Sequence, residues 1–242
     1  MILIADITNR CNLRCTTCYY YREKYPINEL IDEQWLKIFT EAKDNGSLIA
    51  SYVGGEPMLR YLLLKKLTQI MPINFIVTNG LLPLNGMNAQ FIVSVDGTKK
   101  YHDAIRGRGT YEKIQKNITE DCIIAMTITE QNKVCIKDFY NEWKTKVKGI
   151  RFGFYSPFSL KDRQAVSNKN EIIEELKCMD ILNSENELEM WKEENIQKVR
   201  DNCPTRTGNV SRLDCLGKRK ACINKLCSAN YCVLYSSLKV VV

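Results

Sequence analysis

The chain has 242 residues, of which 45% are hydrophobic, and a formal net charge of +7. This length suits one domain of barrel size, and the hydrophobic content supports a large core, which excludes a disordered or fibrous protein. No apolar run reaches the roughly 18 residues that a membrane-spanning helix needs. The stretch from Met1 to Asp6 is too short and too acidic for a signal peptide. We therefore expect a soluble, cytoplasmic protein without a membrane partner.

Basic residues gather in two stretches, from Lys99 to Lys116 and from Arg206 to Lys220. Such patches favour an anionic cofactor or a nucleic acid. No RNA-binding signature accompanies them, so we interpret them as an ordinary solvated surface and do not expect a nucleic-acid partner.

Apolar stretches alternate with amphipathic ones over residues 1–158. The predicted strands are short and rich in Ile, Val and Phe, as in a parallel sheet covered on both faces. They are Ile2–Thr8, Leu48–Val53, Asn74–Thr78, Phe91–Val95, Cys122–Thr129 and Gly149–Tyr155. Helical patterns fall between several of them, and the second helix begins at Pro57 and runs to about Ile70. Repeated βα units imply right-handed crossovers, so the sequence predicts an α/β fold with an open, partial (β/α)6 TIM-like barrel.

The pattern changes after residue 158. Two polar helices, at about Asn168–Ile181 and Glu185–Asp201, lead into a tail rich in cysteine. We therefore predict two regions, a partial barrel over residues 1–158 and a helical linker with a small Cys-rich cap over residues 159–242.

Cysteine is the most informative residue type in the chain. There are 11 cysteines, an odd number that excludes a complete disulfide framework. In a reducing cytoplasm, clustered cysteines are more often metal ligands than disulfides. The single histidine, His102, argues against a His-rich zinc site and against a hydrolase with a histidine base.

Three cysteines, Cys11, Cys15 and Cys18, follow the first predicted strand with CxxxCxxC spacing. This spacing brings three thiolates within reach of one small iron–sulfur cluster. A four-iron cluster usually takes four cysteines, so three leave one iron open for another ligand. The alternatives are a zinc knuckle, which needs a fourth ligand, and three unrelated buried thiols.

Three further motifs stand at the ends of predicted strands: Gly54-Gly55-Glu56-Pro57, Thr78-Asn79-Gly80 and Ser94-Val95-Asp96-Gly97. Together with the cysteine triplet they resemble the radical S-adenosylmethionine (SAM) superfamily. The resemblance covers residues 1–158 and is closest to the branch that contains sulfatase-maturating enzymes, peptide maturases and the molybdenum-cofactor cyclase.

The resemblance implies a 4Fe-4S cluster held by the triplet, with SAM chelating the open iron. It also implies a SAM pocket made from the strand-end residues Gly54, Gly55, Glu56, Pro57, Asn79 and Ser94, and from Arg106 in the segment Tyr101–Gly107 that follows the fourth strand. Local roles are the alternatives: Glu56 at a helix N-terminus, Asn79 and Ser94 in turns, and Arg106 paired with Asp103. In this context His102 is expected to order the loop after the fourth strand.

The implied reaction is reductive cleavage of SAM to a 5′-deoxyadenosyl radical, which abstracts hydrogen from a substrate carbon. The implied partners are a flavodoxin- or ferredoxin-type electron donor and either a small molecule or a peptide delivered by another protein. Whether the enzyme is an oxidoreductase, an epimerase or a bond-forming maturase stays open. The alternative functions are an iron–sulfur electron-transfer protein without SAM chemistry and a radical SAM enzyme that modifies RNA.

The tail resembles the SPASM or Twitch domains that this branch often carries. We expect four of its five cysteines to hold an auxiliary 4Fe-4S cluster; they are Cys203, Cys215, Cys222, Cys227 and Cys232. The spacing fits either a set opening at Cys203 with Gly217 and Cys222, or one that pairs Cys215 with Cys232. A zinc site and unliganded cysteines are the alternatives. We interpret Cys122, Cys135 and Cys178 as small buried hydrophobic residues.

Overall fold

A computed structural model of the chain describes residues 1–18, 28–157, 162–195, 198 and 209–219. It contains one sheet of seven parallel strands in the order β6-β5-β4-β3-β2-β1-β7. The strands are β1 Ile2–Thr8, β2 Ile49–Gly54, β3 Ile73–Thr78, β4 Gln90–Ser94, β5 Ile123–Ile128, β6 Gly149–Phe154 and β7 Val210–Leu213. The predicted α/β partial barrel is confirmed, and the first six strands match the predicted ones to within two residues at each end.

Seven α-helices connect or cover these strands in the described part of the chain. They are α1 Asp32–Asp44, α2 Tyr61–Ile70, α3 Lys99–Arg106, α4 Thr110–Asn117, α5 Ile136–Trp143, α6 Lys169–Lys177 and α7 Glu185–Met190. Short 3-10 helices occupy Pro57–Arg60, Lys133–Cys135 and Glu193–Asn195. The sequence did not predict α3, because most of this segment is polar and its buried side chains are only His102 and Ile105.

The two polar helices predicted after residue 168 are shorter than expected. The chain leaves the helical conformation after α6 because residues 182 and 183 hydrogen bond along the edge of β6. The amide of Leu182 donates to the carbonyl of Ile150 at 2.9 Å, and the side chain of Asn183 contacts both backbone polar groups of Phe152. These bonds satisfy backbone groups that an edge strand would otherwise leave unpaired.

The two faces of the sheet have different environments. The helices cover one face, where Phe39 of α1 stacks on Tyr52 and Phe139 of α5 packs against Phe152. On the other face, the alternate side chains along β2 to β5 are only half-buried: Ser51, Val53, Phe75, Val77, Ile92, Ser94, Ala125 and Thr127. Because helices line the outside of such barrels, this accessible surface is the inner face.

Strand β7 was not predicted and comes from the region assigned to the linker and cap. It extends the sheet beyond β1, with Ile2 opposite Val210 and Ala5 opposite Leu213. Its Arg212 pairs with Asp6 of β1 at 2.9 Å, and both side chains are buried. A segment more than 200 residues away therefore completes the sheet beside its first strand.

Within the described ranges, no helix combines the length and the apolar character needed to cross a bilayer.

Candidate active site

The three N-terminal cysteines lie on a loop that directly follows β1, which we call the cysteine loop (residues 11–18). Its thiols are half-buried and form no disulfide. The loop is folded on itself: the amide of Cys18 donates to the carbonyl of Cys15 at 3.1 Å, and the amide of Leu13 donates to Cys11 Sγ at 3.4 Å. A backbone N–H that donates to a ligand sulfur is typical of iron–sulfur sites.

The end of β2 runs alongside the start of the cysteine loop. The amide of Gly55 donates to the carbonyl of Thr8, and the amide of Glu56 donates to the carbonyl of Arg10, both at 2.8 Å. A Cβ atom at Gly54 would lie 2.4 Å from the Thr8 oxygen, and one at Gly55 would lie 2.2 Å from the Arg10 oxygen. Both positions require glycine because the two backbones approach closely. The predicted SAM contact of these glycines remains a prediction.

Glu56 is 1% exposed and connects the ends of two strands. Its Oε1 accepts hydrogen bonds from the Met58 amide at 3.0 Å and the Thr78 hydroxyl at 2.7 Å, and its Oε2 accepts from the Asn79 amide at 2.7 Å. Burial raises the pKa of this carboxyl, and the three donors oppose that shift. Glu56 thus occupies the helix N-terminal position considered as the alternative, and buried Pro57 follows it as the first residue of the 3-10 helix.

Asn79 joins the end of β3 to the cysteine loop. Its Nδ2 donates to Asn12 Oδ1 at 2.7 Å and lies 3.9 Å from Cys11 Sγ. Its Oδ1 accepts from the Leu81 amide at 3.0 Å. Asn79 therefore orders its own turn and also contacts the loop that carries the cysteines.

Asp96, just after the end of β4, is in contact with four distant residues. Its Oδ2 accepts from Arg106 Nε at 2.7 Å, and its Oδ1 accepts from the Thr127 amide at 3.0 Å. Its amide donates to His102 Nδ1 at 3.1 Å, and its carbonyl accepts from Asn132 Nδ2 at 3.3 Å. The residue belongs to a quoted motif, but its role became visible only once its distant partners were placed.

The alternative prediction, that Arg106 pairs with Asp103, is wrong. Asp103 instead accepts hydrogen bonds from the amides of Gly109 and Tyr111, where α4 begins. The Arg106 side chain is 14% exposed and pairs with Asp96. The hydrogen bond from its Nε to Asp96 holds the guanidinium near the carboxyl end of β4.

The same guanidinium acts on the cysteine loop. Burial raises the pKa of Cys15 to about 11, and the positive charge of Arg106 opposes this shift. The amide of Thr16 donates to the carbonyl of Ile105 at 2.9 Å, which fixes this half of the loop on the last turn of α3. A nearby cation stabilises thiolates, the form in which cysteine binds metals.

His102 is completely buried, and burial lowers its pKa from 6.5 to about 4. Its bond to the Asp96 amide orders the loop after β4, as expected.

Ser94 projects from the accessible inner face, and its hydroxyl makes no hydrogen bond to any described residue. The alternative role of Ser94 in satisfying a turn is therefore not present within those residues.

Of the five tail cysteines, only Cys215 falls within the described residues. Cys203, Cys222, Cys227 and Cys232 lie outside them, so the auxiliary site stays a prediction. Cys215 is buried after β7, with its Sγ 3.9 Å from the carbonyl oxygen of Asn28, and burial raises its pKa to about 11.

The other three cysteines were expected to be buried. Cys122 and Cys135 are buried, but the expectation was wrong for Cys178, which is exposed at the end of α6.

No three His, Cys, Asp or Glu side chains of the described ranges are placed to hold a single metal ion. A four-iron cluster has a different requirement, because each thiolate binds a separate iron.

Comparisons with known proteins agree with the strand-end motifs. Residues 6–120 match the model of the Radical SAM superfamily. The sporulation killing factor maturation protein SkfB of Bacillus subtilis is 28% identical over 155 residues, which are 55% of this chain and 37% of SkfB. The PqqA peptide cyclase of Granulibacter bethesdensis is 43% identical over 61 residues, which are 25% of this chain and 16% of the cyclase.

Solved structures share the fold. Streptococcus suis SuiB, bound to the precursor peptide SuiA, superposes with a TM-score of 0.61 at 16% identity, over 100% of this chain and 66% of SuiB. The structure of anSMEcpe with bound AdoMet and the Cp18Cys peptide gives a TM-score of 0.57 at 19% identity, over 73% of this chain and 58% of anSMEcpe. The chain thus spans less than two thirds of the length of each of these relatives. Residues 6–120 of this chain are a radical SAM domain.

Proposed function

We propose that this protein cleaves SAM reductively and abstracts hydrogen from a peptide substrate. The observation that carries the proposal is the position of the cysteine loop. The loop contacts the end of β3 and the last turn of α3, and the residues just before it, Thr8 and Arg10, contact the end of β2. These elements meet at the carboxyl edge of the sheet, where active sites of parallel barrels lie. Next to it, the inner face of the barrel is accessible.

The donor set of the loop supports a cluster with one open iron. Cys11, Cys15 and Cys18 would hold the cluster, and Arg106 would stabilise two of the thiolates. When bound, the reduced cluster supplies the electron that cleaves SAM and so generates the 5′-deoxyadenosyl radical. The residues of the chain bind and orient the reactants and limit access of water.

The SAM pocket is proposed from the same strand ends. Ser94 offers a hydroxyl without a protein partner among the described residues, on the accessible face and beside the pair of Asp96 and Arg106. These features support a contact with a polar group of SAM. Gly54 and Gly55 approach the backbone of residues 8–10, and Asn79 contacts Asn12 of the cysteine loop. The oxygens of Glu56 are already bonded to protein donors.

A peptide substrate is favoured over a small molecule by the comparisons. SkfB is named for the maturation of a sporulation killing factor and the PqqA cyclase for the cyclisation of a peptide. SuiB and anSMEcpe have been solved with bound peptides. The half-buried side chains of the inner face mix apolar and small polar groups, which suits an extended peptide. The auxiliary 4Fe-4S cluster and a flavodoxin- or ferredoxin-type electron donor complete the proposal, and they rest on the sequence resemblance.

The test is to incubate the anaerobically reconstituted, dithionite-reduced protein with SAM and to measure 5′-deoxyadenosine. We expect cleavage by the wild type and weaker SAM binding by Ser94→Ala at unchanged iron content. Ser51→Ala is the matched control, because Ser51 is a half-buried serine on the inner face of β2. A protein that is loaded with iron yet neither binds nor cleaves SAM would favour the electron-transfer alternative.

A further inference from the structure

We infer that Glu29 is a positioning residue for the cysteine loop. Glu29 belongs to residues 28–30, which we call the strap, and no motif pointed to it. The inference rests on the proposed function, because it gives Glu29 a role toward the cluster that the loop would hold. It adds a coupling between the cysteine loop and the turn that follows β7.

The carboxylate of Glu29 holds the residues that immediately precede Cys11. Its Oε1 accepts hydrogen bonds from the Thr8 hydroxyl and the Asn9 amide, both at 2.7 Å. The Thr8 hydroxyl oxygen in turn accepts a hydrogen bond from the Arg10 amide at 3.1 Å. Arg10 Nε lies 3.6 Å from Glu29 Oε2. One side chain, 13% exposed, therefore fixes three consecutive residues at the entry of the loop.

The strap itself is held by the 3-10 helix Pro57–Arg60 and by the turn after β7. The amide of Leu30 donates to the carbonyl of Cys215 at 2.9 Å, and the carbonyl of Leu30 accepts from Arg60 Nη1 at 3.0 Å. A Cβ atom at Gly217 would lie 2.8 Å from the Leu30 side chain, so the β7 turn packs closely on the strap. The backbone that carries Glu29 is therefore held in place by residues distant from it in sequence, namely Arg60, Cys215 and Gly217.

The two halves of the cysteine loop have separate anchors. Thr16, in the second half, is bonded to Ile105 of α3. The first half is held by Glu29 through Thr8 and Asn9, by the end of β2, and by the bond from Asn79 to Asn12. If the Glu29 anchor is removed, Cys11 should shift relative to Cys15 and Cys18, and the three thiolates would no longer match one cluster.

The experiment compares Glu29→Ala, Glu29→Gln and Thr8→Val with the wild type. Glutamine keeps an oxygen for the Thr8 and Asn9 donors, alanine removes it, and valine removes the Thr8 hydroxyl at nearly constant volume. Glu33→Gln is the control, because Glu33 is an exposed glutamate in the first turn of α1. The readouts are iron and sulfide per chain after reconstitution, the EPR spectrum of the reduced protein and the melting temperature of the metal-free chain.

We expect Glu29→Ala and Thr8→Val to lose at least half of the iron bound by the triplet, or to give an altered EPR spectrum. We expect Glu29→Gln to retain both properties and Glu33→Gln to match the wild type. Wild-type iron content and spectrum in Glu29→Ala would overturn the inference. Equal losses of iron in Glu29→Ala and Glu29→Gln, each in proportion to a lowered melting temperature, would also overturn it. A wild type that binds no iron at the triplet would instead refute the proposed function itself.

Discussion

Acid should destabilise this fold through its single histidine. His102 is completely buried, and its Nδ1 accepts a hydrogen bond from the Asp96 amide at 3.1 Å. That bond requires an unprotonated Nδ1, and burial lowers the pKa from 6.5 to about 4. The unfolded chain, in which the imidazole titrates near its ordinary value, therefore binds more protons than the folded protein between about pH 4 and 6.5.

The sign and size of the effect follow from this difference. A lowered pKa for a base means that the stabilising contribution is fully present above pH 6.5 and is lost as the pH falls to 4. Each pH unit in this window changes the free energy of unfolding by about 1.4 kcal/mol, so the whole window is worth about 3 kcal/mol. Carboxyls whose pKa is lowered lose their contribution mainly below this window, and Glu56, whose pKa is raised by burial, acts in the opposite direction. The contribution of His102 is therefore isolated by comparison with a variant that lacks the imidazole.

The measurement is urea unfolding of the metal-free chain at pH 7 and pH 4, followed by tryptophan fluorescence. The comparison is with His102→Asn, whose amide oxygen can accept the same hydrogen bond but does not titrate. We expect the wild type to lose about 3 kcal/mol more than the variant between the two pH values. Equal losses in both proteins would refute the assignment of this pH dependence to His102.

Two further variants test how the site is held together. Gly55→Ala should cost about 2 kcal/mol or more of unfolding free energy and reduce iron binding, because the new Cβ meets the Arg10 carbonyl oxygen. The control is Gly153→Ala, whose Cβ would have no atom within 4 Å and which should stay within about 0.5 kcal/mol of the wild type. Arg106→Met should cost about 3–5 kcal/mol, because it leaves the buried Asp96 carboxylate unpaired. Adding Asp96→Asn should recover much of that loss in the same urea assay, and a single variant as stable as the wild type would contradict the pairing.

The sequence predicted the parts of the fold that depend on local patterns. Six strands were found because each is an apolar run between turn residues. Strand β7 was missed because its four residues, Val210–Leu213, include a serine and an arginine. Its pairing with β1 depends on a tertiary contact that spans nearly the whole chain. The domain boundary at residue 158 stays a prediction, although this strand from beyond it joins the same sheet.

Within the site, the sequence located the residues better than their partners. The spacing of Asp103 and Arg106 on one helix suggested a local pair, but Asp103 is used where α4 begins and Arg106 reaches Asp96 instead. Glu29 carried no signal, because its partners Thr8 and Asn9 are about twenty residues earlier and no motif includes it. Hydrogen bonds between distant residues depend on the folded backbone, which local patterns do not encode.

The central claim is that Cys11, Cys15 and Cys18 hold a cluster. The most direct test is the iron and sulfide content of the anaerobically reconstituted protein beside the Cys11→Ala, Cys15→Ala, Cys18→Ala triple variant. The matched control replaces Cys122, Cys135 and Cys178 by alanine, since these lie outside the triplet and the tail. With an auxiliary cluster the wild type should bind about eight irons, and the triplet variant should lose about four of them while the control loses none. An unchanged iron content in the triplet variant would contradict the claim.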